Sequence, residues 1–181
     1  KTPLVGAHQP HNVALAIAML DLAKLLPSGA SLGDWVGRAL RGVRLAGRFQ
    51  IVDRTVFDVA HNPASVLELC DTLSRVALDR PLGAVLSILR DKDWRTMLIT
   101  IASHVDMTWL TLAPSAPQER AWDLEEVSAF AASAGLTVRV RPRMEDALRE
   151  AHAEAATVLV TGSFRTVGDA MSMLHANPHP V

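Results

Sequence analysis

The segment "FDVAHNP", Phe57 to Pro63, places an acid, an imidazole and an amide (Asp58, His61, Asn62) close together at the end of a β-rich run. Ligands in open α/β sheets sit outside the carboxyl ends of the strands, so polar side chains at such an end are candidates for a site. An aspartate there can hold ribose hydroxyls, and a histidine can contact a phosphate or another anionic group. Asn62 and Pro63 also suit a simpler role, as cap and first residue of the helix that follows.

Three other runs end in polar residues that could carry chemistry. "RDKD", Arg90 to Asp93, reads mainly as a solvated loop with Asp93 capping the next helix. Its Lys92 is the member that could reach phosphate oxygens. "TGSFRT", Thr161 to Thr166, sets glycine and serine before a helix, where backbone amides and a hydroxyl can approach an anion. The plainer reading of that turn is Gly162 and Ser163 as a βα connection with Phe164 in the core. "APSAP", Ala113 to Pro117, opens the only long irregular stretch, and Arg48 in "AGRFQIV" opens the first strand-like run. Histidines 8, 11, 104, 152, 175 and 179 lack a convincing ligand spacing and read as solvated residues, so no metal site is expected on this segment.

The elements that must position these residues follow from periodicity. Apolar density from about residue 11 to 26 predicts a helix, ended by Pro27, Ser28 and Gly29, and a second helix starts after Ser31. From Gly47 the period changes. "RFQIV" and "TVFDV" are β-rich and separated by Asp53 and Arg54, as a tight hairpin or as successive strands. Helices at 63–77, 94–103, 123–134 and 143–154 then alternate with "LGAVLSIL", "DMTWLTL", "LTVRV" and "TVLVTG", before a last helix from about 166 to 175. This pattern predicts an α/β fold, a Rossmann-like, mostly parallel sheet with helices on both faces. The break divides the chain into a helical part, 1–46, and an α/β domain, 47–181.

Bulk properties exclude several classes. The 181 residues are 49% hydrophobic and 20% charged with a net charge of -1, which argues against disorder and against nucleic acid as a partner. The single cysteine, Cys70, lies in an apolar helical pattern and reads as a buried thiol in a reducing, cytoplasmic setting. No apolar run approaches the roughly 20 residues of a membrane span. The sequence also carries no G-x-x-x-x-G-K-[ST] loop and no G-x-G-x-x-G after a strand, so it looks like part of a site.

In order, "HQPHNVALAIAML", "GRFQIV", "VFDVAHNP", "LSILRDKD", "LTLAPSAP" and "VLVTGSFRTV" resemble the C-terminal part of the folylpolyglutamate synthase and dihydrofolate synthase family of the Mur ligase superfamily. "DKD" and "GSF-x-TV" resemble the folate branch more than the cell-wall branch. The resemblance implies that residues 1–46 are the helical tail of a central P-loop ATPase domain and that 47–181 are the C-terminal ligase domain. It implies ATP-dependent addition of L-glutamate to dihydropteroate or folates through an acyl phosphate, with Mg2+ bound mainly by the missing domain.

Residue by residue, the resemblance makes Asn12 the adenine reader, Arg48 a phosphate contact and Asp58 the acid near the ribose and hinge. His61 becomes a catalytic residue of the cleft that also faces the glutamate site, Ser163 a glutamate contact, and Lys92 a lesser candidate. One departure is Arg165, where the family often has histidine, although arginine still suits an anion. Asp58 is expected to matter for turnover far more than for folding. The other reading is a stand-alone, non-catalytic nucleotide-binding or interaction module of the same fold.

Overall fold

The structure, a computed structural model, describes residues 4–27 and 31–176. Ser28 and Gly29 of the expected helix stop, and His179, lie outside the described residues. Two helices come first, α1 (Gln9–Leu22) and α2 (Leu32–Arg41). They are followed by β1 (Gln50–Val52), β2 (Thr55–Asp58), α3 (Pro63–Arg75), β3 (Leu82–Leu86), α4 (Trp94–Ala102) and β4 (Met107–Leu110). The chain ends with α5 (Leu124–Ser133), β5 (Arg139–Val140), α6 (Met144–Glu154), β6 (Thr157–Thr161) and α7 (Phe164–Met173).

The six strands form one sheet in the order β1-β2-β6-β3-β4-β5. β1 and β2 pair antiparallel with Val52 opposite Thr55, so Asp53 and Arg54 are the loop of a tight hairpin. Asp53 adopts φ 53°, a left-handed conformation that aspartate tolerates better than most residues. Every other neighbouring pair is parallel. The expected α/β architecture is therefore present, with one antiparallel edge strand.

Alternation along the strands feeds two cores. Val56, Ala84, Leu86, Leu110 and Leu159 face one layer, where they meet Val66 and Leu69 of α3, Met97 and Ile101 of α4 and Val127 of α5. Phe57, Val85, Trp109, Val158 and Val160 face the other, against Met144 and Leu148 of α6 and Val167 and Met171 of α7. A strand buried on both faces reads as a continuous apolar run, which is why "TVLV" and "LGAVL" looked strand-like. Cys70 is buried in the first core, and burial pushes its thiol up to about 11, which makes it a poor nucleophile.

Local chemistry fixes several helix starts. Asn62 accepts from Ser65 N–H while Ser65 Oγ accepts from the Asn62 N–H, a reciprocal cap for α3 with Pro63 in its first turn. Asp93 caps α4 by accepting from Thr96 N–H at 3.2 Å, as its position in "RDKD" suggests. α1 and α2 differ from the rest. No residue of α2 is buried, and in α1 only Gln9 is. Leu15, Met19 and Leu22 are 62%, 62% and 85% exposed, a row that recurs at helical spacing on α1.

His152 departs from the solvated role expected of the histidines. It is half-buried at the opposite end of the sheet, with Nδ1 2.8 Å from the Leu148 carbonyl and Nε2 2.9 Å from Thr55 Oγ1. Arg54 spans the same spot and donates to the backbone carbonyls of His152 and Ala155. Burial lowers the His152 pKa, opposed by the bond to Leu148 and assisted by the Arg54 charge.

As pH falls below about 6.5, the unfolded chain gains a proton that the folded chain still refuses, so this group removes stability there. Below the folded-state value the loss levels off. Thermal unfolding between about pH 7.5 and 5 is expected to show this decline, and His152→Gln to flatten it; an unchanged slope in the variant would contradict the assignment.

Candidate functional site at the carboxyl edge of the sheet

The parallel register brings the candidate loops together. Asp58 at the end of β2 lies beside Thr161 at the end of β6, which lies beside Leu86 at the end of β3. The loops after β2, β6, β3 and β4 therefore leave from one edge of the sheet.

Arg48 is placed by an unusual turn. Gly47 has φ +65°, and a Cβ there would stand 2.8 Å from Val59 Cγ1, so only glycine fits without displacement. The Gly47 carbonyl accepts from Val59 N–H at 2.8 Å, and Gly47 N–H donates to Gln50 Oε1 at 3.1 Å. Phe49, buried on the other side of Arg48, also takes a left-handed φ of 47°. Its N–H donates to Asp58 Oδ2 at 2.9 Å, while Ala60 N–H donates to Asp58 Oδ1 at 2.9 Å. Both carboxylate oxygens of Asp58 thus tie the Arg48 turn to the end of β2. Burial pushes the Asp58 carboxyl up, and the two backbone bonds and the charges of Arg48 and His8 pull it back.

A cleft of about 610 Å3 opens above this point, between α1, α2 and α3. That volume falls in the range of small-molecule sites. Asn12, Arg48 and Asp58 all line it, joined by His8, Gln9 and Glu68. Asn12 Nδ2 donates to Gln9 Oε1 at 3.4 Å, and Gln9 Nε2 lies 2.9 Å from His8 Nε2. The mainly apolar wall comes from α1 and α2, including Val13, Ile17, Trp35 and Val36. An apolar wall with an amide, a guanidinium and a carboxylate on the same cleft suits a small ligand that combines an apolar ring with charged groups.

His61, Ser163, Lys92 and Arg165 do not line that cleft. His61 follows β2; Nδ1 is 2.9 Å from the Val59 carbonyl, which commits it as a donor and leaves Nε2 as the acceptor of the neutral ring. Ser163 is buried, and its hydroxyl is engaged within the protein. It caps α7 by accepting from Thr166 N–H at 3.1 Å and lies 2.7 Å from Thr166 Oγ1, which donates to the Ser87 carbonyl at 2.6 Å. Ser87 Oγ in turn accepts from Ala113 N–H at 3.0 Å, so hydroxyls join the loops after β6, β3 and β4.

Lys92 Nζ is 3.4 Å from Asp91 Oδ2, and Asp91 also takes a forked pair of bonds from Arg120. The Arg120 guanidinium holds the Asp91 carboxyl below its usual range. Arg165 reaches the third loop, donating to the Ser115 carbonyl at 2.5 Å, while Ser115 N–H donates to Asp169 Oδ2 at 2.9 Å. Arg165 and Asp169 of α7 thus clasp the "APSAP" loop.

Phe164 is a residue that the sequence reading misplaced. It is 59% exposed, not in the core. Its ring centroid lies 5.6 Å from that of His61, and the Arg48 guanidinium carbon sits 5.9 Å from the same centroid. The available signal was its position directly after a capping serine at the carboxyl edge of the sheet, where a side chain projects over the edge. Among the described residues, no group of three or more His, Cys, Asp or Glu side chains is arranged to hold a metal ion. No helix among them is long and apolar enough to cross a membrane.

A mostly parallel sheet with its polar loops gathered at one edge, and a cleft against added helices, is the arrangement of an α/β domain that binds a small molecule. Residues 47–164 match the Mur ligase, glutamate ligase domain family, and the chain belongs to it. Over 177 residues it is 33% identical to the dihydrofolate synthase/folylpolyglutamate synthase of Escherichia coli, covering 96% of this chain and 40% of that protein. The structure of Mycobacterium tuberculosis folylpolyglutamate synthase complexed with ADP and AMPPCP superposes with a TM-score of 0.83 at 30% identity, over 98% of this chain and 42% of that one. A bifunctional folylpolyglutamate synthase/dihydrofolate synthase with Mn, AMPPNP and L-glutamate bound gives 0.79 at 28% identity, over 96% and 41%. The chain thus spans about two fifths of the length of the relatives it matches.

The bonds at Asp58 carry an expectation different from the one drawn from sequence. Asp58→Ala leaves the Phe49 and Ala60 amides without their acceptor, and urea unfolding is expected to show a loss on the order of 2–3 kcal/mol. A loss below about 0.5 kcal/mol would show that water replaces the carboxylate there. Gly162→Ala should also destabilise, because φ is +118° and a Cβ would stand 2.6 Å from the Ser87 carbonyl oxygen.

Proposed function

We propose that this chain is the C-terminal, closing part of an ATP-dependent ligase that adds L-glutamate to dihydropteroate, to folates or to both. The observation that carries the reading is the meeting of Asn12, Arg48 and Asp58 on one cleft at the carboxyl edge of the sheet. They come from α1, from the turn before β1 and from the end of β2, and no local sequence constraint would gather them.

In this reading residues 1–46 are the helical tail of a central P-loop ATPase domain and 47–181 are the C-terminal domain. The exposed row Leu15, Met19 and Leu22 supports it, since an apolar face of that kind is stable where a further layer covers it. The shares of relatives left unmatched give that layer a source.

In this reading the γ-phosphoryl group of ATP passes to the substrate carboxylate, giving an acyl phosphate and ADP; the glutamate amine then attacks the acyl carbon, loses a proton and expels inorganic phosphate as the amide forms. Asn12 would read the adenine, Asp58 would face the ribose and Arg48 would neutralise phosphate oxygens. His61, oriented through its Nδ1 bond to Val59, would present Nε2 to the reacting groups. Ser163 would contribute to the glutamate site through its backbone, since its hydroxyl is occupied by Thr166. Lys92 and Arg165 would act on the shape of the edge, through Asp91 and the third loop. Mg2+ would be held mainly by residues outside this segment.

The test is ATP-dependent transfer of radiolabelled L-glutamate to dihydropteroate and to tetrahydrofolate by the native full-length polypeptide. Transfer to at least one acceptor is expected, and Arg48→Ala should raise KM for ATP about tenfold or more, the loss of a charge-assisted phosphate contact. Transfer to neither acceptor would overturn the ligase reading and leave a binding module of the same fold.

A further inference from the structure

Phe164 poses a physical question that the proposed roles leave unanswered. It is a large aromatic side chain, 59% exposed, at the first position of α7, directly after the buried cap Ser163. Exposing an aromatic ring forgoes its burial free energy, about 2 kcal/mol or more. The ring contributes little to either core. Its neighbours are two groups given roles above, Arg48 of the cleft at 5.9 Å, and His61 beside the cleft at 5.6 Å with the rings tilted by 48°.

We propose that Phe164 is a positioning residue for the nucleotide end of the site, its ring holding the Arg48 guanidinium at the mouth of the cleft and bridging it to His61. This rests on the reading of Arg48 as a phosphate contact. Arg48 has a fixed backbone, because Gly47 and Phe49 are both held in left-handed conformations and Asp58 anchors the turn. Its long side chain still has rotamer freedom that must be lost on binding, and a guanidinium resting on an aromatic face has already lost part of it. The face also leaves the edge N–H groups of the guanidinium available to an anion. His61 is fixed from its other side by the bond to Val59, so one ring links the Arg48 turn, the end of β2 and the start of α7.

The ring is carried by a rigid support. Ser163 caps α7 by accepting from Thr166 N–H, Thr166 Oγ1 donates to the Ser87 carbonyl, and Gly162 packs against that same carbonyl. Phe164 is therefore presented by the loop junction of β6 and β3, and its exposure is built into the turn.

The experiment uses the native full-length polypeptide and its Phe164→Leu and Phe164→Tyr variants, with two measurements. First, 15N relaxation of the Arg48 Nε–Hε group reports its order: restricted in the parent and in Phe164→Tyr, and mobile in Phe164→Leu. Second, calorimetric titration with ADP is expected to show affinity reduced about two- to fivefold in Phe164→Leu, the effect of an exposed cation–π pair, and restored in Phe164→Tyr. In an Arg48→Met background, Phe164→Leu should have no further effect on ADP affinity. A merely structural role would give the same loss in both backgrounds.

Arg48 equally ordered in Phe164→Leu would overturn the inference whatever ADP does. Arg48 loosened in a parent that does not bind ADP would leave the positioning in place and overturn the nucleotide reading instead. Arg48 loosened with ADP affinity unchanged in Phe164→Leu would overturn the coupling of the ring to binding.

Discussion

The insertion of β6 between β2 and β3 is the constraint on which the site depends. Among the described residues β6 is the last strand, yet it pairs with the second and third strands in parallel register, setting Thr161 beside both Asp58 and Leu86. Without that pairing, Phe164 could not meet His61 and Arg48, and the hydrogen-bond chain from Ser163 through Thr166 Oγ1 to the Ser87 carbonyl could not form. Parallel pairing across such a long sequence separation requires crossover connections, which here are the helices that fill the two cores. Core packing and site assembly are thus one event.

The edge so created is tied together almost entirely by short polar contacts. Asp58 accepts from two backbone amides, Asn62 and Ser65 together cap the start of α3, and Ser87 and Thr166 connect three loops. Two arginines fasten the third loop, Arg120 within it by binding Asp91 and Arg165 of α7 by binding the Ser115 carbonyl. This arrangement leaves few polar groups of the edge free to rearrange. Preorganisation of that kind suits a reaction governed by positioning and electrostatics, where groups should not need to reorient as charge develops.

Much of the fold was legible because its signals are local. The change of period at Gly47, the strand and helix alternation, the caps at Asn62 and Asp93 and the buried Cys70 all appear where the sequence places them. The hairpin of β1 and β2 stayed ambiguous because Asp53-Arg54 lacks the glycine that usually marks a tight turn. What the sequence hid was non-local. Arg165 reaches a carbonyl fifty positions away, Ser163 spends its hydroxyl on Thr166, and Phe164 points outward where its hydrophobicity suggested the core. Each depends on which strand ends become neighbours, and strand order is not written in any one segment. Asp58 shows the same limit from another side, since a residue chosen for chemistry also holds two backbone amides of the fold.

The cleft lined by Asn12, Arg48 and Asp58 is the joint between the helical segment and the α/β domain, and its occupancy by a nucleotide decides whether the ligase reading holds. Hydrogen exchange of the native full-length polypeptide, with and without ADP, reads that directly. Slowed exchange is expected in the backbone amides around Asn12, Arg48–Phe49 and Ala60–His61, with amides near His152 at the opposite end of the sheet unchanged. ADP-induced protection that leaves all three of those segments untouched, or no protection anywhere in this chain, would contradict a nucleotide site at this cleft.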